Sequence, residues 1–128
     1  MFELGIYSAI APFILLLLSS MWSYPPVLEE VVKWGILRSK ILDVRSQILG
    51  GAVVGLVFGL SEAVLFASNS WMLGDWSSMV GRLLLTVPMH TATASVTAWG
   101  MSRRMGWVGL LIAMGMHAGF NYFVGSMR

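Results

Sequence analysis

The run "PPVLEEVVKWGIL", Pro25 to Leu37, places two adjacent glutamates and a lysine in an otherwise apolar stretch. Long apolar segments flank it, and a charge in hydrocarbon costs several kcal/mol. The other costly side chains expected inside the apolar segments are Glu62, His90, His117 and Asn121. Each has a plain packing explanation. Lys33 can snorkel to the interface, His90 can satisfy a carbonyl freed by Pro88, and Asn121 can bridge two helices. Glu62 can line a path or pair with a base.

Taken together they support chemistry. Glu29 and Lys33 are four apart and Glu30 and Lys33 three apart, so either glutamate can meet the lysine on a helix face. One lysine cannot fully neutralise both glutamates and Glu62 as well. A carboxylate in that position can take a proton from water and hand it on, as general base and then general acid. His117 and Asn121 are one helical turn apart, as are Phe58 and Glu62. Glu62, His90 and His117 make a two-histidine, one-carboxylate set, which suits zinc with an open position for water. Glu29 or Glu30 would then act on that water. In a metal-free version a glutamate activates water, while His117 and Asn121 donate to the oxyanion. Spacing alone does not choose between these versions, nor between the two glutamates.

The elements that must position these residues are helices. A membrane-spanning helix needs about 20 apolar residues. Four segments qualify, from Leu4 to Trp22, Gln47 to Ser68, Met79 to Met101 and Trp107 to Val124. The fifth helix is short and charged, starting at Pro25-Pro26 and reaching about Leu42, since proline can begin a helix but not sit inside one. If it crosses, Arg38, Lys40, Arg45, Arg103 and Arg104 gather on the side of the N-terminus, leaving Arg82 and Arg128 opposite. The positive-inside rule then puts the N-terminus in the cytoplasm and the C-terminus outside. Depth supports the crossing. Counted from the outer helix ends, the six acidic, histidine and asparagine residues fall within roughly 5 to 15 Å of one surface. Gly51, Gly55 and Gly59, spaced by four, allow close helix approach. "SNSWMLGDWSS", Ser68 to Ser78, has the composition of an interfacial loop, with Trp71 and Trp76 as anchors.

Composition agrees. The 128 residues suit one domain, 1–128, and are 57% apolar but only 11% charged, against about 25% charged in soluble domains. The formal net charge of +2 reads as topology, so no nucleic-acid partner is expected. The absence of cysteine excludes disulfides, thiolate nucleophiles and thiolate metal sites. The start "MFELG" lacks a positive n-region, and no small-residue cleavage site follows the first apolar run, so that run is expected to be a retained helix.

The motifs now have an ordered context. "EEVVK" (Glu29 to Lys33) fits EExxK, "FGLSE" (Phe58 to Glu62) fits FxxxE, His90 stands in an R-x7-H context from Arg82, and "HAGFN" (His117 to Asn121) fits HxxxN. This set resembles the PrsW family of intramembrane proteases, related to the CAAX prenyl proteases and the bacteriocin-immunity-type membrane proteins. There the second motif is FxxxH, and Glu62 favours the PrsW branch. The resemblance covers residues 29 to 121. It implies hydrolysis of peptide bonds in membrane-anchored substrates, with PrsW-type proteins associated with the first, extracytoplasmic cut of an anti-sigma factor. It also implies a prokaryotic cell membrane, and its likeness to the prenyl proteases leans to Glu29 as base. Family members usually have more helices, so self-association to complete the site is an open alternative.

The expectation is therefore an all-α, polytopic bundle of about five membrane helices acting as an endopeptidase in the lipid bilayer. Its site residues are Glu29, Glu30, Glu62, His90, His117 and Asn121, supported by Lys33 and Phe58, with zinc on Glu62, His90 and His117. The competing expectation is a non-enzymatic small transporter or a membrane-protein-binding or immunity factor. A transporter needs polar residues open to both faces, whereas "ILGGAVVGL" and "WVGLLIAM" leave the inner halves of their helices apolar.

Overall fold

The computed structural model describes residues 1–19, 24–39, 44–74 and 76–126. Five helices follow one another: α1 (Phe2–Ser19), α2 (Pro25–Arg38), α3 (Val44–Leu73), α4 (Trp76–Ser102) and α5 (Gly106–Ser126). The described residues contain no strand. This is the expected all-helical bundle. Trp22, Lys40, Leu42 and Arg128, which entered the sequence reading, lie outside the described residues.

Two apolar clusters fix the helix directions. Leu4, near the start of α1, packs with Leu37 at the end of α2, Val54 of α3, and Ala94 and Ala98 of α4. Ala11 and Leu15, farther along α1, pack with Phe58 of α3 and with Leu28 and Val32, nearer the start of α2. So α1 and α3 run one way and pack on each other, and α2 runs back against both. α2 reverses fully despite its length, about 21 Å for 14 residues at the standard rise. It starts on Pro25, where the missing N–H costs nothing.

The tightest seam is α3 on α4, and the expected glycine stripe forms it. A Cβ on Gly51 would lie 2.7 Å from the Ala94 carbonyl oxygen, and one on Gly59 2.9 Å from the Val87 Cα. At Gly55 it would strike the carbonyl of His90. Only glycine permits this approach, and it brings the His90 turn of α4 directly onto α3.

One expectation needs correction. The segment Ser68 to Ser78 is not a loop: α3 continues to Leu73 and α4 starts at Trp76. Nothing between Ser68 and Leu73 breaks a helix. The break comes at Gly74, whose φ of 69° is the left-handed conformation that ends helices. Among the described residues, Val44–Ser68 and Gly106–Val124 are long and apolar enough to cross a membrane, and Phe2–Leu18 is apolar but shorter. α4 is less apolar because it carries Thr86, Thr91, Thr93, Ser95 and Thr97. Thr91, Thr93 and Ser95 return their hydroxyls to carbonyls of their own helix, to Val87, His90 and Thr91. Those three hydroxyls are thereby satisfied without another helix.

Candidate active site

α2 brings the first charges inward. Glu30 and Lys33, three apart on one face, are both fully buried. The Lys33 ammonium has three hydrogens and three acceptors: Glu30 Oε1 at 2.5 Å, His90 Nδ1 at 3.0 Å and Thr93 Oγ1 at 3.0 Å. Its Nζ also lies 5.2 Å from the centre of the Phe58 ring. One lysine thus ties α2 to α4 and sits over α3.

The histidines are held from behind. His117 Nδ1 donates to Glu30 Oε1 at 2.8 Å, so its Nε2 carries a lone pair. That Nε2 lies 3.6 Å from Glu29 Oε2. His90 packs against Phe58, ring centres 5.1 Å apart, and meets His117 edge to face at 5.0 Å. Because Lys33 donates to His90 Nδ1, its Nε2 carries the hydrogen, and Glu62 Oε2 accepts it. His90 Nε2 is also 4.0 Å from Glu29 Oε2.

Five of the six expected site residues therefore meet: Glu29, Glu30, Glu62, His90 and His117, contributed by α2, α3, α4 and α5. Asn121 lies one turn beyond His117, is exposed, and makes none of the cluster's hydrogen bonds. Thr93 was not expected. It is fully buried and joins Lys33 to the backbone of His90. Its only sequence signal was its position one turn after a histidine.

The carboxylates are not equivalent. Glu30 is sealed in, whereas Glu29 and Glu62 line a cavity of about 530 Å³ between α1, α2 and α3. Glu29 Oε2, like Glu30 Oε2, is buried and accepts no hydrogen bond. An orphaned buried carboxylate oxygen is costly, and it lies beside two imidazole Nε2 atoms. Glu29, His90 and His117 each offer a donor atom, all within 4.8 Å of one another. Three protein donors, with both Nδ1 atoms occupied by outer partners, suit a divalent ion. Seating one on His90 as a neutral imidazole would require that Lys33 pass a proton to Nδ1 while the Nε2 hydrogen leaves through Glu62 to water in the cavity, which returns Glu62 to its carboxylate form. The trio differs from the expected Glu62, His90 and His117 by one carboxylate.

Compared with known protein families, residues 4–128 match the PrsW family intramembrane metalloproteases. The chain belongs to this family. Comparison with curated proteins and with solved structures found no match. As a PrsW-family member the protein is an integral membrane hydrolase, and its substrates are membrane proteins or peptides in the bilayer. The family's metal requirement fits the Glu29, His90 and His117 donors.

Proposed function

We propose that this PrsW-family protease cuts a peptide bond presented at the cavity wall, with Glu29, His90 and His117 as the metal donors and Glu62 as the base. The observation that carries this reading is Glu29 Oε2, buried, unbonded, and 3.6 and 4.0 Å from two imidazole nitrogens. A divalent ion such as zinc supplies Lewis-acid polarisation of the substrate carbonyl when bound. Glu62 Oε2 takes a proton from the attacking water, the water oxygen joins the carbonyl carbon, and the C–N bond breaks. The proton then passes to the departing amine. Lys33 and Glu30 hold the two Nδ1 atoms and so aim both imidazoles. Asn121, in register with His117 on α5, is the proposed oxyanion donor.

The contact between Glu62 and His90 favours a second assignment, with Glu62 as ligand and Glu29 as base. Glu29→Gln and Glu62→Gln separate the two. On the first assignment Glu29→Gln loses most bound metal and activity, while Glu62→Gln keeps its metal and loses activity at least 100-fold. The reverse pattern establishes the second. Metal analysis of purified protein before and after chelation is the readout. Full activity in metal-free wild-type protein would rule out both.

For orientation, Arg38, Arg45, Arg103 and Arg104 stand at the end of the bundle where α1 begins and α2 ends. The positive-inside rule supports a cytoplasmic location for that end and an outward-facing site.

A further inference from the structure

The cavity beside Glu29 and Glu62 is walled mainly by apolar side chains, among them Leu15 and Leu16 of α1, Leu28 of α2, and Leu65 and Phe66 of α3. Its volume of about 530 Å³ is within the ordinary range of ligand pockets. Catalysis at Glu29 and Glu62 needs only the part of the cavity next to the two carboxylates. The rest extends along α1 and α3. Leu16 is a wall residue that is also 58% exposed, and Leu17 beside it is exposed as well. The mouth therefore opens on an apolar surface, where lipid rather than water is the neighbour.

A substrate carbonyl placed at Glu29 leaves adjacent residues about 3.3–3.6 Å away per step along an extended chain. The side chain within two residues of the cut thus enters the apolar part. A carboxylate there would be stripped of water among apolar walls that carry no basic side chain, which discriminates against it.

We propose that this cavity is the protease's selecting subsite. It takes one large apolar side chain (leucine, isoleucine or phenylalanine) within two residues of the scissile bond and rejects aspartate and glutamate. Leu65, a wall residue one turn after Glu62 on α3, is its main specificity-determining residue. The inference rests on the peptidase reading above.

The test uses membrane-spanning peptides in liposomes, identical except for one residue near a cut mapped by mass spectrometry. That residue is alanine, leucine, phenylalanine or glutamate, moved through the positions flanking the cut. The wild type should cleave leucine or phenylalanine peptides at least tenfold faster than alanine or glutamate peptides at one such position. Leu65→Trp should abolish that preference while alanine peptides are still cut, and Leu65→Ala should shift it toward phenylalanine. In parallel, Leu65→Cys should form a disulfide with a peptide carrying cysteine at the selecting position, the chain having no other cysteine. Cleavage with no preference, or with one that neither Leu65 variant moves, overturns the subsite and leaves the peptidase reading intact. Cross-linking at Leu65 without cleavage of any peptide sinks the peptidase reading and retains the cavity as a peptide site. Neither cleavage nor cross-linking overturns both.

Discussion

Thr93 shows how the site is held at the scale of single side chains. Its Oγ1 accepts from Lys33 and donates to the His90 carbonyl, so it fixes both the lysine and the turn that presents the imidazole. Thr93→Val keeps the shape and removes the acceptor. One lysine hydrogen is then left without a partner in a fully buried place, at a cost of about 1–3 kcal/mol. The variant should lose thermal stability in detergent and at least tenfold in peptide cleavage, and Thr93→Ser should restore most of both. If the valine variant cleaves as fast as wild type, Thr93 does not position the site. The contrast with its neighbours explains what was legible beforehand. Glu29, Glu30, Lys33, Glu62, His90 and His117 stand out because a charge or imidazole in hydrocarbon needs a reason. Threonine does not, because it can return its hydroxyl to its own helix, as Thr91 does. The choice between Glu29 and Glu62 as ligand was invisible for another reason. It depends on which carboxylate faces both Nε2 atoms, and helix rotation decides that.

Among the helices, the α3–α4 seam does most to place the chemistry. Gly55→Ala would put a methyl group against the His90 carbonyl and Thr91 Cα. Both are backbone, so neither can swing aside. The helices must separate, with an overpacking cost of about 1–3 kcal/mol, and His90 moves away from Lys33 and Glu62. Gly55→Ala should therefore be less thermostable and bind less metal. Gly35→Ala, where a Cβ meets nothing within 4 Å, should match wild type in both. Equal metal content in the two variants would show that the seam does not govern the site. The glycine spacing made this seam readable, and the proline pair did the same for the start of α2. The helical continuation past Ser68 was not readable, because serine, asparagine and tryptophan describe an interface equally well in helix or loop. The cavity escaped as well, since leucines facing a void and leucines facing a core have the same sequence pattern.

Across the whole molecule, the alternating helices put Tyr24 at one end and Arg103 at the other. Tyr24 is exposed, as is Arg103. With single cysteines at these positions, a membrane-impermeant thiol reagent applied to intact cells should label Tyr24→Cys and spare Arg103→Cys until the membrane is opened. The opposite pattern would reverse the proposed orientation, and labelling of both from outside would contradict the alternation. The length of α2 has a consequence of its own. At about 21 Å against a hydrocarbon thickness of about 30 Å, it is mismatched to an ordinary bilayer, and Glu29 is only one turn from its first residue. On the proposed orientation, lipids around α2 would thin or pucker to meet Pro25, drawing the headgroup layer, and the water it carries, toward Glu29 and Glu62. The lipid thus becomes part of the hydration path. Cleavage of one membrane-spanning peptide should be faster in bilayers of 14-carbon chains than in bilayers of 22-carbon chains. A rate indifferent to chain length would mean that water reaches Glu29 through the protein alone.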